Sequence, residues 1–256
     1  MEAQVAGPVL TGAVRILGID LASQPEKTGV VLVDVEESAL PVAHLVPGRA
    51  TDDALVAWAK LVDRIGIDAP MGWPNAFVEG MVNHVEYRSW DAAGEVKGLT
   101  HRVTDHVVHD QTGIWPLSVS ADKLAYVAFR CAHLQQRFAE EVWDGVPAPR
   151  DGSGRLVETY PAAALRMWGL PYKSYKGDSG EAACRTILDG LRRRVELGEV
   201  ERAAIRSDHV LDALVSALVV VELMNGRTIK PRTEEEAAAA RLEGWIHLPS
   251  STWVPA

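Results

Sequence analysis

The sequence predicts an α/β protein in which a mixed sheet is flanked by helices on both faces. Three apolar runs near the N-terminus are separated by short polar loops, a pattern typical of strands that pair as a meander. Later apolar runs alternate with stretches of helical periodicity, which is typical of strands joined by crossover helices. Early hairpins followed by such crossovers give a mixed sheet.

The first half of the chain supplies the meander and the first crossover. We expect strands at 13–20, 28–35 and 42–46, a helix at 51–63, and a strand at 64–68. Thr51 can cap the helix, because a side-chain hydroxyl can accept a hydrogen bond from the first turn. Pro70 follows the last of these strands and stops it.

The second half is mainly helical. We expect strands at 156–159 and near 245–248, and helices at 121–141, from Pro161 onward, and at 180–195, 208–224 and 233–243. Residues 75–115 are the least readable part, and we expect a helical or loop insertion that forms a lid at about 75–150. Residues 1–12 look like a loose leader, and 13–256 form a single domain.

Composition narrows the classes of function. The chain has 256 residues, 47% of them hydrophobic, and a net charge of −9. It can bury a large core, while broad binding to duplex nucleic acid is disfavoured because that relies on many Lys and Arg contacts. No stretch approaches the roughly 20 apolar residues of a membrane helix. With only Cys131 and Cys184 and no secretory signal, we expect a cytoplasmic protein with no membrane partner.

Carboxylates end three of the predicted strands. Asp20 and Asp68 each close a run that contains Gly-Ile-Asp, and Glu158 closes Arg-Leu-Val-Glu. Strand ends in open α/β sheets face ligand crevices, and acids gathered there are costly unless a cation neutralises them. The alternative is that each acid only caps the turn after its strand.

Two more acids share one face of the apolar helix at 208–224. Asp208 and Asp212 are four residues apart, which places them on the same side of a helix. Asp208 is also explained by the favourable position of an acid in a first helical turn, whereas Asp212 lies one turn deeper among apolar residues. The five acids predict a site for Mg²⁺ or Mn²⁺, hard cations that prefer oxygen ligands.

Five segments, in this order, resemble the DUF429 family, which is regarded as a family of predicted nucleases with the ribonuclease H-like fold. They are ILGIDLA (16–22), IDAPMGWP (67–74), RVTD (102–105), ETYP (158–161) and SDHVLDALVSAL (207–218). The last of them also resembles the acidic helix of Holliday-junction resolvases of the same fold. The resemblance covers about residues 14–250.

This resemblance implies a metal-dependent phosphodiester hydrolase that acts on nucleic acid or on a nucleotide-like phosphate ester. Asp20 would bridge two Mg²⁺ or Mn²⁺ ions, and Asp68, Glu158 and Asp212 or Asp208 would complete the ligand set. The chain departs from ribonuclease H in one respect, because the helix at 51–63 has no Glu where that enzyme carries a catalytic one. Glu158 is the candidate replacement.

Basic residues are candidates for substrate binding. Arg102 can clamp a phosphate in bidentate fashion while Asp105 orients it, or the two can form an internal pair that ties down a loop. Lys173 and Lys176 lie in YKSYKG (172–177), where aromatic and basic residues alternate. That composition can hold a phosphate or stack a base, and a solvated loop is the alternative.

Three histidines in the insertion, His101, His106 and His109, have a spacing compatible with zinc, although no Cys lies nearby and ordinary core or surface positions fit better.

Two other functions stay open. Actin-like kinases also begin with Gly-Ile-Asp, but they need Gly-rich phosphate loops that are not evident here. A binding or scaffold module, whose acids are structural caps, is the second alternative.

Overall fold

The computed structural model describes residues 13–89 and 96–250, so the predicted leader at 1–12 lies outside the described residues. Within them, one mixed sheet has the strand order β3-β2-β1-β4-β5-β6. The strands are β1 Val14–Asp20, β2 Gly29–Val35, β3 Val42–Leu45, β4 Arg64–Asp68, β5 Leu156–Thr159 and β6 Ile246–His247. The α/β prediction and the mixed sheet are confirmed.

Strand direction follows from the length of each connection. The chain from β1 through β3 uses short loops, and these strands pair antiparallel. By contrast, β4, β5 and β6 follow helical connections, and each pairs parallel with its neighbour, with β4 lying beside β1. A parallel pair needs such a crossover because the chain must return to the starting edge of the sheet.

The helices surround this sheet. They are α1 Asp52–Ala59, α2 Asn75–Val85, α3 Val96–Thr100, α4 Val103–Thr112, α5 Leu124–Val142, α6 Pro161–Met167, α7 Glu181–Leu191, α8 Val200–Arg206, α9 Asp208–Met224 and α10 Glu234–Glu243. None of these described helices is both long enough and apolar enough to cross a bilayer.

Alternating side chains of the strands build the two main cores. Ile16 of β1 belongs to the core under α9, together with side chains of α6, α7 and α8. Its neighbour Leu17 belongs to the core on the opposite face, where α1 and α5 pack. This period of two is the expected consequence of strand geometry, and it separates a face that carries α9 from a face that carries α5.

One helix end and one helix start illustrate how the boundaries differ from the prediction. Thr51 caps α1 by accepting a hydrogen bond from the Ala54 amide, as expected, but α1 ends at Ala59 rather than at 63. The reason is that Asp63 exchanges hydrogen bonds with the backbone of Arg15 at the start of β1. Likewise, α5 begins at Leu124, because the Ser120 hydroxyl donates to the Leu99 carbonyl instead of capping the helix.

Candidate metal centre

Two aspartates lie side by side where two parallel strands end. Asp20 is the last residue of β1, Asp68 is the last residue of β4, and the two are partners in the parallel register. Side chains of register partners in neighbouring strands lie on the same face of the sheet, and the backbones of neighbouring strands lie about 4.8 Å apart. The repeated Gly-Ile-Asp therefore places both carboxylates at one edge and on one face of the sheet.

Glycines on this face let α9 pack very close to the strands. A Cβ atom at Gly18 would overlap the carbonyl oxygen of Ala213, and one at Gly66 would lie 2.5 Å from the carbonyl oxygen of Ser216. Each glycine precedes its strand-end aspartate by two residues, so both residues lie on the same face. The close approach brings Asp212 of α9 to the two strand-end carboxylates.

Asp20, Asp68 and Asp212 form a group that we call the aspartate cluster. Each residue offers one carboxylate oxygen, and these three oxygens lie within 4.8 Å of one another. Asp212 is only 1% exposed and Asp20 only 9% exposed, so water screens their charges poorly. Because carboxylate oxygens suit hard divalent cations, the cluster can hold such an ion.

Proton affinities in the cluster reflect the cost of gathering these charges. Burial, followed by the Asp20 and Asp212 carboxylates, raises the pKa of Asp68 well above its usual range. Burial also raises the pKa of Asp212 to about 6, although Lys176 and Tyr175 oppose the increase. A carboxylate that holds its proton more tightly is one whose charged form is destabilised. A bound cation would remove that destabilisation.

A loop between α6 and α7 compensates part of the charge on Asp212. The Lys176 ammonium lies 2.7 Å from Asp212 Oδ2 as an ion pair, and the Tyr175 hydroxyl donates a 2.8 Å hydrogen bond to Oδ1. Burial by itself would lower the pKa of Lys176, but the Asp212 carboxylate raises it overall, so this side chain is cationic at neutral pH. One ammonium facing three carboxylates leaves an excess of negative charge.

His209 contacts the cluster from the first turn of α9. Its Nδ1 lies 2.6 Å from Asp20 Oδ2, and this hydrogen bond raises the pKa of the imidazole although partial burial opposes it. The side chain is 39% exposed, so part of the ring faces solvent. His209 therefore orients one carboxylate of the cluster at the rim of the site.

Glu158 lies outside the aspartate cluster, which corrects the prediction that it is a metal ligand. The parallel register aligns Glu158 with Ile67, so its side chain projects to the face opposite Asp68. There the Arg102 guanidinium donates to both carboxylate oxygens, at 2.7 and 2.9 Å, and the Met71 amide donates at 3.0 Å. Both oxygens of Glu158 are thus committed to structural partners.

Arg102 and Asp105 complete this buried ion-pair network. Arg102 is 2% exposed and also donates a 3.0 Å hydrogen bond to Asp105 Oδ1. Burial by itself would lower the pKa of Arg102, but the Glu158 and Asp105 carboxylates raise it overall. Of the two alternatives for Arg102 and Asp105, the geometry shows the internal pair, and the guanidinium has no exposed edge with which to clamp a phosphate.

The remaining predicted residues, Asp208 and Lys173, are not members of the aspartate cluster. Asp208 lies in the first turn of α9, half-buried, and is not one of the three clustered acids. Lys173 extends over the ring of Tyr172, with its Nζ 5.3 Å from the ring centroid. The helical spacing of Asp208 and Asp212 was predicted correctly, but only Asp212 belongs to the cluster.

The three histidines of the insertion pack around Trp115 instead of forming a zinc site. The ring of His109 stacks on Trp115 with a centroid distance of 4.1 Å, and the rings of His101 and His106 meet it edge-on at 5.0 and 5.2 Å. In the described ranges 13–89 and 96–250, the aspartate cluster is the one group of three or more side chains spaced to hold a metal.

Sequence reasoning missed two residues of this site. His209 stands in the segment SDHVLD beside the acids that were singled out, and its signal is the three-residue spacing to Asp212, which suits a shared helical face. Tyr175 had a weaker signal, its place next to Lys176 in the aromatic and basic loop. Neither residue could be assigned a partner from the sequence because both contacts join segments far apart in the chain.

Comparison with known proteins identifies a family for this chain but does not assign a function to it. A family model described as "Protein of unknown function (DUF429)" matches residues 18–236, a range that contains the whole aspartate cluster. No curated protein and no solved structure matches the chain.

Proposed function

This chain belongs to the DUF429 family, and we propose that it is a divalent-metal-dependent hydrolase of phosphate esters, specifically a nuclease. One observation supports the proposal above the others: three carboxylates from β1, β4 and α9 converge within 4.8 Å at the carboxyl edge of two parallel strands. A mixed sheet with helices on both faces fits the ribonuclease H-like fold that the sequence resemblance implies, and that fold is part of the proposal.

In this proposal the aspartate cluster holds Mg²⁺ or Mn²⁺. Such an ion lowers the pKa of a water molecule and stabilises negative charge on phosphate oxygens when it is bound. In the hydrolysis, the water molecule loses a proton as its oxygen bonds to phosphorus, the bond between phosphorus and the leaving oxygen breaks, and the leaving oxygen takes up a proton, so that the step adds one water molecule in all.

The chain's own side chains orient the carboxylates of the cluster and neutralise part of the negative charge at the site. His209 holds the Asp20 carboxylate through its 2.6 Å contact, and we propose that its partly exposed imidazole carries a proton. Lys176 brings an ammonium to the cluster, and we propose that it also binds the substrate phosphate, with Lys173 of the same loop as a second cation. Positive charge at this place matters because the chain as a whole carries a net charge of −9.

The test measures hydrolysis of bis(4-nitrophenyl) phosphate and of single-stranded and duplex oligonucleotides, with Mg²⁺, with Mn²⁺ and with EDTA. Asp20→Asn should abolish turnover and leave the fold intact, as judged by circular dichroism. Asp208→Asn is the matched control, since that acid lies outside the cluster, and it should keep most of the activity.

Other outcomes would favour the alternatives. Tight, Mg²⁺-dependent binding of ATP in a calorimeter, with no ester hydrolysed, would favour a phosphotransferase. No rise in melting temperature with either cation would favour a scaffold, because an ion bound by the native state must stabilise that state by mass action. Unchanged activity of Asp20→Asn would refute the assignment of the site.

A further inference from the structure

A cavity of about 150 Å³ lies at the same edge of the sheet as the aspartate cluster. Its walls come from the start of β2, the segment that joins β3 to α1, the first turns of α1, and the start of α9. The start of β2 lies beside the end of β1 because the two strands are antiparallel. The cavity therefore lies one strand away from Asp20.

Two residues connect the cavity to the cluster. His209 lines the cavity and also contacts Asp20 Oδ2 at 2.6 Å. Gly29, the register partner of Asp20, lines it as well. Since neighbouring strands are about 4.8 Å apart, an organic group held in the cavity can be part of a molecule whose phosphate lies at the cluster.

The lining of the cavity suits a flat ring. Its walls combine apolar side chains, which include Trp58, Leu45, Pro47 and Val210, with a comparable share of polar surface, and the ion pair of Glu26 with Arg49 supplies charge to the lining. Sites for small organic ligands combine apolar side chains with polar groups that fix orientation, and a heteroaromatic ring has apolar faces and polar edge atoms. A cavity of about 150 Å³ is large enough for benzene in another protein, so this one accepts a single ring and excludes a base pair.

We propose that this cavity binds the heteroaromatic ring of a nucleotide whose phosphate is held at the aspartate cluster. The inference rests on the proposed function and narrows it to substrates with one unstacked, pyrimidine-sized base. Such a base belongs to a free nucleotide or to the end of a single strand. A paired base inside a duplex does not fit.

Ala54 provides the variant that tests the cavity. It lines the cavity from α1, whereas Ala57, one turn later on the same helix, is exposed and does not line it. Ala54→Leu should fill the space, and Ala57→Leu is the matched control. Trp58→Ala is a second variant that enlarges the cavity and removes the aromatic wall, in case Ala54→Leu fails to fold.

Calorimetry with Mn²⁺ compares uridine 5′-monophosphate with ribose 5-phosphate, which has the phosphate but no base. The unmodified chain and Ala57→Leu should bind the nucleotide at least tenfold more tightly. Ala54→Leu and Trp58→Ala should lose this preference while their Mn²⁺-dependent rise in melting temperature stays unchanged. Equal binding of the two ligands by the unmodified chain would overturn the inference and leave the proposed metal site standing.

A measurement without metal separates the inference from the proposed function. Saturation-transfer NMR with uridine, which carries no phosphate, should detect the ring on the unmodified chain and on Ala57→Leu but not on Ala54→Leu. Equal transfer in all three would overturn the inference even if no metal binds. If the unmodified chain binds a hexauridylate more tightly than the mononucleotide, and Ala54→Leu abolishes this difference in affinity, the ring comes from the end of a single strand.

Discussion

Replacing Asp212 with Asn removes the most deeply buried charge of the aspartate cluster and nearly preserves the side-chain shape. We expect the metal-free variant to be more stable than the unmodified chain at neutral and alkaline pH. The reason is that burial raises the pKa of Asp212 from 3.8 to about 6, so its ionised form costs folding free energy. An amide of the same size avoids this cost and still accepts the hydrogen bond from Tyr175.

The size of the effect follows from proton linkage. An acid whose pKa is higher in the folded state lowers the free energy of unfolding as pH rises from the unfolded to the folded value. A shift from 3.8 to about 6, at about 1.4 kcal/mol per unit, gives about 3 kcal/mol above pH 6 and only about 0.5 kcal/mol at pH 4. For a chain of this size, that corresponds to a melting temperature higher by roughly 6 to 12 °C.

Thermal denaturation between pH 4 and pH 8, with EDTA and with Mn²⁺, measures this difference. Saturating Mn²⁺ should stabilise the unmodified chain, by about 2.7 kcal/mol at one hundred times the dissociation constant. It should stabilise the variant much less, because one ligand is missing. Asp208→Asn is the control on the same helix, and we expect it to behave like the unmodified chain in both conditions.

Two results would refute this reasoning. In the first, the metal-free variant is less stable than the unmodified chain at pH 8, which would mean that the ion pair with Lys176 already outweighs the cost of burial. In the second, Mn²⁺ raises both melting temperatures equally, which would mean that Asp212 is not a ligand.

Three further predictions concern the site and its supports. Mn²⁺ affinity should fall by about tenfold or more per pH unit below pH 6, because protons compete with the ion for Asp212, whose pKa is about 6, and also for Asp68, whose pKa is raised. Calorimetry from pH 5 to 8 measures this dependence, and a flat profile contradicts it. Arg102→Met should lower the free energy of unfolding by about 3 to 5 kcal/mol, because it leaves the Glu158 carboxylate buried without its cationic partner. Urea denaturation measures this difference, and a variant as stable as the unmodified chain would show that the ion pair is dispensable. Gly18→Ala should displace α9 and abolish the Mn²⁺-dependent rise in melting temperature, whereas Gly98→Ala, which has open space around it, should have no such effect.

Local patterns in the sequence were sufficient to predict the two strands and the helix that carry the aspartate cluster. Strand periodicity and the repeated Gly-Ile-Asp placed Asp20 and Asp68 at equivalent ends of two strands, and the structure pairs them directly. The apolar stretch around Asp212 predicted a buried helix, which α9 confirms. These inferences succeed because alternation along a strand and the turn of a helix are properties of neighbouring residues.

Glu158 shows what the sequence could not decide. Its place at a strand end was predicted correctly, but the face to which it points depends on the register of β5 against β4. A shift of one residue moves a side chain to the other face, and no local pattern reveals that register. The structure aligns Glu158 with Ile67 and pairs it with Arg102, 56 positions earlier in the chain.

The partners of the cluster depend on tertiary structure for the same reason. His209 meets Asp20 across 189 positions of sequence, and Tyr175 meets Asp212 across 37. The sequence by itself determined which residues carry charge and which segments form strands or helices. Only the packing of α9 onto the glycines of β1 and β4 decided which charges meet, because the distance between two side chains depends on backbone contacts between segments remote in the chain.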